Sequence, residues 1–239
     1  MLSNLTHKKF SLLVCALAIT VSLGLGVVLG AQQFSSLASS TFTSTSNNSN
    51  SGAPPVAANM LHEAKALPEF ALENHRGEIM GVDSFRDHWS LIFFGFTSCP
   101  DYCPLELQRL AKVLNVMTAG EALQVVFVSV DPERDVREKL ATYVNFFHPQ
   151  IIGVRGSNVA LAQFAQFFGA AYDRTAIVDG KVLTIPAGIN LPTNVGEHYQ
   201  VNHSSRVFIV NPAGAFVGSF AAPYEVDDVA LDMQKLMGL

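Results

Sequence analysis

Two cysteines four positions apart, in Leu91-Ile-Phe-Phe-Gly-Phe-Thr-Ser-Cys99-Pro-Asp-Tyr-Cys103-Pro104, carry the strongest chemical signal of the chain. A thiolate pair can exchange disulfides or hold a soft metal. Disulfide-exchange motifs of the Cys-x-x-Cys kind have a two-residue gap. The third intervening residue here tilts the reading towards a metal holder. A disulfide joins sulfurs about 2.05 Å apart, whereas two thiolates on one metal at about 2.3 Å each stand nearly 4 Å apart. One spacing can therefore serve a dithiol that binds metal and a disulfide that does not. A soft dithiolate suits Cu(I), and a nitrogen ligand beside it would also admit Cu(II). Zinc accepts similar ligands and stays open.

Candidates for that nitrogen are His62, His75, His88, His148, His198 and His203. His62 belongs to a low-complexity stretch, His75 to a hairpin turn, and His88 and His148 to element ends, where surface or capping roles are commoner. His203 differs. It closes a long segment rich in Gly, Pro and Asn and stands just before the apolar run Arg206-Val-Phe-Ile-Val210. An extended loop with no elements of its own is unusual unless it acts. His203 is the histidine to test.

The elements that would position these residues can be read from the pattern of apolar positions. Leu91–Phe96 reads as a buried strand and Pro104–Met117 as a helix, so the cysteines sit at a strand-to-helix junction. If the helix begins close to Cys99, residues i and i+4 share a face and bring the sulfurs together. The positive end of the helix dipole would then favour thiolate over thiol. Around this unit, Phe70–Met80 suggests a hairpin turning near Asn74–Gly77. Leu123–Val130 and Ile151–Val154 read as strands and Val136–Phe147 as a helix. Ser157 would cap a helix to Phe168 that Gly169 ends. After the thirty-residue loop come the strand 206–210, a turn at Asn211–Gly214, a return along 215–220 and a closing helix, Val226–Met237. Strand, helix, strand, helix, hairpin and final helix give an α/β class, a thioredoxin-like sandwich with a mixed sheet covered on both faces. Its reactive turn would lie at the C-terminal end of a central strand.

Ahead of that domain, His7-Lys8-Lys9 precedes the uncharged apolar run Phe10–Ala31, which matches the roughly 20 residues needed to cross a bilayer. The lysines would hold residues 1–9 in the cytoplasm and send the rest across. Cleavage near Gly30 or Ala31 is the competing reading, and both export the domain. Cys15 lies within the apolar run as a small hydrophobe. Residues 32–66 read as a flexible linker and 67–239 as the globular domain. The exported part then holds only Cys99 and Cys103, too few for a disulfide-stapled scaffold. The net charge of −5, with Lys and Arg scattered, argues against a nucleic-acid partner.

Three separated segments now carry a family resemblance. The Cys99-Pro-Asp-Tyr-Cys103-Pro104 turn, Ser129-Val-Asp-Pro-Glu-Arg-Asp135 and Tyr199-Gln-Val-Asn-His203-Ser204 resemble the Sco/SenC family in order and spacing, over about Leu67–Leu239. The resemblance implies a membrane-anchored, thioredoxin-like copper-binding protein, with Cys99, Cys103 and His203 as copper ligands. It implies a metallochaperone role in assembling the dinuclear copper site of cytochrome c oxidase, with subunit II or a similar acceptor as partner. It places the domain on the periplasmic side of a bacterial inner membrane. Asp131 falls at the family's acidic Asp-Pro position, and a structural or supporting role suits it better than ligation. Two departures stand out: Asn202 and Asn211 occupy positions where the family usually has aspartate. A less anionic surround would weaken the hold on Cu(II) or shift the redox poise. Asn202-His-Ser204 also reads as a glycosylation sequon, but a glycan there would cover the proposed metal site.

A second reading is a thiol–disulfide oxidoreductase that reduces the acceptor's cysteines, with Cys99 attacking and Cys103 resolving. A peroxidase would need Thr97 and Arg206 to support one activated cysteine, and a purely stabilising bridge would close too short a loop to gain much.

Overall fold

The computed structural model describes residues 55–117 and 122–239. The expected cytoplasmic segment 1–9, the anchor 10–31 and most of the linker lie outside the described residues. Among the described residues no helix is long and apolar enough to cross a membrane.

Three parallel strands form the centre: β4 (Trp89–Gly95), β5 (Leu123–Ser129) and β6 (Ile151–Arg155). Nearly every residue of β4 and β5 is buried, as expected of strands covered on both faces. The sheet widens on one side through β10 (Arg206–Asn211), β11 (Ala215–Ala221) and β1 (Ala58–Ala66). On the other it adds β2 (Leu72–Asn74) and β3 (Ile79–Met80), giving the order β1-β11-β10-β4-β5-β6-β2-β3. Outside the β4–β5–β6 block every pairing is antiparallel. The register Val207↔Phe93 and Phe93↔Phe127 aligns β10, β4 and β5 beneath the cysteine turn.

Helices cover both faces. α1 (Tyr102–Val116) packs against α2 (Arg137–Phe147) and α4 (Val226–Met237) on one side. α3 (Asn158–Phe168) lies on the other, where Phe94 meets Phe164, Phe168 and Phe208. Alternation along β4 sends the neighbouring Phe93 to the α1 side, against Tyr102 and Phe127. The end signals of α3 are as the sequence suggests. The Ser157 hydroxyl accepts from the Ala160 amide, and Gly169 takes the left-handed conformation, φ +72°, that closes the helix. The mixed α/β, thioredoxin-like sandwich is thus present, and the hairpin at 72–80 turns where expected.

Two expectations are corrected. The linker does not run to residue 66: Ala58–Ala66 is an edge strand paired antiparallel with β11, from Ala58↔Phe220 to Ala66↔Ala215. Its side chains are mostly exposed, so it lacks the alternation that marks a half-buried strand; main-chain pairing and the buried Asp232 carboxylate hold it. The long segment before β10 is also no loop. It folds as β7 (Tyr172–Val178), β8 (Lys181–Pro186) and β9 (Tyr199–His203), a separate sheet of order β8-β7-β9. Asp179-Gly180, both at positive φ, forms the tight turn between β7 and β8. An Asp-Gly pair between apolar runs is a strong hairpin signal, and here it marks the hairpin.

Candidate metal centre

β4 ends at Gly95, and the chain then makes the turn that carries both sulfurs. Glycine is required at the last strand position because a β-carbon there would lie 2.9 Å from Cys103 Sγ and 2.7 Å from the Phe127 ring. Beyond it, the Val130 amide donates to Gly95 O at 2.8 Å and the Cys99 amide to Phe96 O at 3.3 Å. The turn is held from below by one carboxylate. Asp135, fully buried, accepts from the Thr97 amide (2.8 Å), the Thr97 hydroxyl (2.5 Å) and the Ser129 hydroxyl (2.7 Å). Lys139 reaches the same carboxylate at 3.5 Å and donates to the Ser98 hydroxyl at 2.9 Å.

The helix begins at Tyr102, not near Cys99, so the expected i, i+4 helical face is not what joins the sulfurs. Cys99 lies in the turn and its Sγ accepts from the Cys103 amide at 3.4 Å. Cys103 is fully buried in the first helical turn, while Cys99 is half-exposed. Helix-end stabilisation does not prevail at Cys103: burial pushes its thiol well above the usual cysteine range, against the opposing bond from the main chain at Phe96. Both cysteines are free thiols.

His203 reaches the pair from the second sheet. It ends β9, opposite Tyr172 of β7, and the Ser204 amide donates to Ala171 O at 2.9 Å. Nδ1–H donates to Ser204 O at 3.0 Å, which leaves the Nε2 lone pair facing Cys103 Sγ at 3.3 Å. Phe93, Phe96 and Tyr102 surround the imidazole with edge-on contacts, centroids 5.8–6.3 Å away. Burial lowers the imidazole pKa, opposed by the bond to Ser204, so the neutral ring is favoured. The ligand atoms of Cys99, Cys103 and His203 all lie within 4.8 Å of one another, a set able to hold one metal ion.

Residues 58–238 match the SCO1/SenC family model. This chain belongs to the SCO1/SenC family. Over 172 residues it is 34% identical to the human protein described as "Protein SCO2 homolog, mitochondrial", a match spanning 71% of this chain and 59% of that one. The chain thus covers about three-fifths of the length of that relative. Among solved structures, apo Sco1 of Thermus thermophilus superposes with a TM-score of 0.61 at 34% identity, covering 77% of this chain and 99% of that one. Arabidopsis thaliana ScoI with copper bound gives 0.57 at 28% identity, covering 70% and 98%.

Within this SCO1/SenC domain the remaining histidines stay away from the sulfurs. His75 is buried and its Nδ1 accepts from the Gly153 amide at 3.0 Å. His88 Nε2 bonds Ser84 O, His148 follows α2 and accepts from the Gln150 amide, and His62 and His198 are exposed. Asp131 is outside the ligand set. Its buried carboxylate accepts from the Tyr199 hydroxyl and from Arg134 Nε at 2.5 Å, and the Arg134 guanidinium lies 3.8 Å over the Tyr199 ring. Burial raises the Asp131 carboxyl, against the pull of these two donors. A peroxidase frame is not assembled, since Thr97 is committed to Asp135 and Arg206 donates to Ser219.

Sequence reasoning passed over Asp135 and Tyr102. Asp135 ends the Asp-Pro-Glu-Arg-Asp segment, in which the family resemblance marks Asp131. Tyr102 stood inside the cysteine turn, and nothing in its spacing predicts a partner a hundred residues away.

Proposed function

We propose that this chain binds one copper ion through Cys99, Cys103 and His203 and hands it to a copper-accepting protein in assembly of the dinuclear copper site of cytochrome c oxidase, subunit II being the acceptor that fits. The observation that carries the reading is the convergence of two sulfurs and one imidazole nitrogen within 4.8 Å. Two thiolates suit Cu(I), and the added nitrogen supports Cu(II). Copper uptake displaces the protons of both thiols, so affinity rises with pH. Half-exposed Cys99 is the edge at which an acceptor's thiolate or imidazole can enter, while buried Cys103 retains the ion until exchange is complete. Membership of the family and the copper-bound structure of the plant relative support the choice of metal. The apolar run 10–31 supports a membrane anchor with the domain on the periplasmic side.

A thiol–disulfide role for the same pair is favoured by one observation. The Cys103 amide donates to Cys99 Sγ and holds the half-exposed sulfur in place, so Cys99 is the accessible attacker and buried Cys103 the resolving partner. Cys99 would attack an acceptor disulfide and Cys103 would resolve the mixed species. The chain ends as a disulfide and the acceptor as two thiols, with two electrons moved.

The deciding experiment titrates the reduced full chain with Cu(I), Cu(II) and Zn(II). A thiolate-to-Cu(II) charge-transfer band that is lost in Cys103→Ser and weakened in His203→Ala is the expected result. Equal Cu(II) uptake by His203→Ala and the unaltered chain would sink the ligand assignment. Stoichiometric reduction of a partner disulfide without copper, His203 being dispensable, would favour the reductase.

A further inference from the structure

The third ligand arrives on a different sheet from the first two, and a side chain of the cysteine helix bonds directly to the turn that follows this ligand. Tyr102, the first residue of α1 and the neighbour of Cys103, donates its hydroxyl to Ser205 O at 3.0 Å, across 103 positions of sequence. Ser205 lies two residues beyond His203. The intervening Ser204 carbonyl accepts the His203 Nδ1–H that sets the tautomer. The Tyr102 ring packs on Phe93 (6.1 Å) and stands edge-on to the imidazole (6.3 Å). The phenol therefore bridges the cysteine helix and the β9–β10 turn at the point where the turn presents its nitrogen.

We propose that Tyr102 is a positioning residue: its hydroxyl latches the His203 turn to the cysteine turn and presets the imidazole as third ligand. This rests on the copper reading above. The physical case is preorganisation. β9 pairs with β7 in the smaller sheet and Ser204–Ser205 lead from it into β10 of the main sheet, so the imidazole sits on the link between two sheets, and one that must first be ordered there binds more weakly by that cost. Two thiolates from one short turn can hold Cu(I) without it. Cu(II), which wants the nitrogen, depends on the latch.

Tyr102→Phe removes the oxygen and keeps the ring. A net hydrogen bond of ordinary strength corresponds to about a fivefold change, so the Cu(II) dissociation constant rises about fivefold and that of Cu(I) changes less than twofold. The Cu(II) paramagnetic spectrum, read on the full chain with Cu(II) alone, loses part of its nitrogen hyperfine coupling. In a His203→Ala background the same substitution changes Cu(II) affinity less than twofold, because the latch acts through the imidazole. An equal loss of Cu(I) and Cu(II), or an undiminished effect without His203, would overturn the proposal, as would unchanged Cu(II) binding by Tyr102→Phe. These outcomes are distinct from failure of the copper reading, in which the unaltered chain already shows no histidine-dependent copper binding.

Discussion

The cysteine turn and the histidine arm reach the same few ångströms by opposite means. The turn grows out of a strand buried along nearly its whole length and hangs on one carboxylate, Asp135, whose side-chain contacts are all within forty residues. The arm is a three-stranded sheet set apart from the main one, carrying exposed Ile177 and Val182 directly opposite each other at its hairpin. It is tied down by a fully buried Arg174 that donates to both Glu133 oxygens, at 2.9 and 3.0 Å, and to Ile189 O. Arg134 adds a second tie, donating to Tyr199 O at 3.1 Å. The dithiol therefore rests on the core, with Cys103 inside it and Cys99 packed against it, and the imidazole is delivered by an attachment. A site split in this way can keep its sulfurs fixed while its nitrogen is the more easily lost, which suits a carrier that must release its cargo.

Asp135→Ala is the largest perturbation this comparison predicts. It leaves the Thr97 amide, the Thr97 hydroxyl and the Ser129 hydroxyl without their acceptor beside the core. Unfolding in urea should show a loss of about 3 kcal/mol, with Asp135→Asn recovering about half. The freed turn also exposes Cys103, so both thiols react with a thiol reagent where the unaltered chain reacts first at Cys99. Wild-type stability in Asp135→Ala would mean that the turn does not depend on this carboxylate, and the contrast would fail.

Arg174→Met is the reciprocal break. Glu133, partly exposed, can take up water when its partner is lost, so the cost is smaller, about 2 kcal/mol. The cysteine turn should keep its reactivity while histidine-dependent Cu(II) binding falls, measured by thiol titration and absorption on the same sample. If thiol reactivity and Cu(II) binding fall together, turn and arm are one unit.

The same contrast decides what could be read from the sequence. β4, β5 and β10 were legible because strands buried on both faces are written as unbroken apolar runs, such as Leu91–Phe96. The cysteine pair was legible as chemistry, though the sulfurs meet through a turn and an amide-to-sulfur bond and not along one helical face. The arm reads as a loop in sequence because buried Arg174 stands at an inward position of β7 where an apolar residue would mark the alternation, and because Gly, Pro and Asn crowd the segment between β8 and β9. His203 was singled out by its place before β10, and the sheet that delivers it was missed. β1 reads as linker for a related reason. An edge strand held by main-chain bonds leaves little mark on side-chain pattern. Asp135 and Tyr102 act through contacts that only the folded chain creates.

A control outside both regions sharpens the comparison and has the smallest effect. Asp232 of α4 is fully buried and accepts the amides of Val56 (2.8 Å), Ala57 (2.7 Å) and Ala58 (3.0 Å), fastening the start of β1. Burial alone would raise its carboxyl; the three amides and nearby Lys235 outweigh burial and hold it below the usual aspartate value. The unfolded chain therefore binds the proton more readily than the folded one. The staple is fully effective above the unfolded pKa, near 3.9, and is lost as pH falls through the lower folded value. Asp232→Asn should cost about 1 kcal/mol at neutral pH, with the gap to the unaltered chain closing as acid protonates the native carboxylate. Cu(II) binding at neutral pH should be unchanged, because β1 lies at the sheet edge, beyond β11 and β10 from β4. A loss of copper binding in this variant would show that the site senses general loosening, and the distinct roles given to the turn and the arm would then need a different basis.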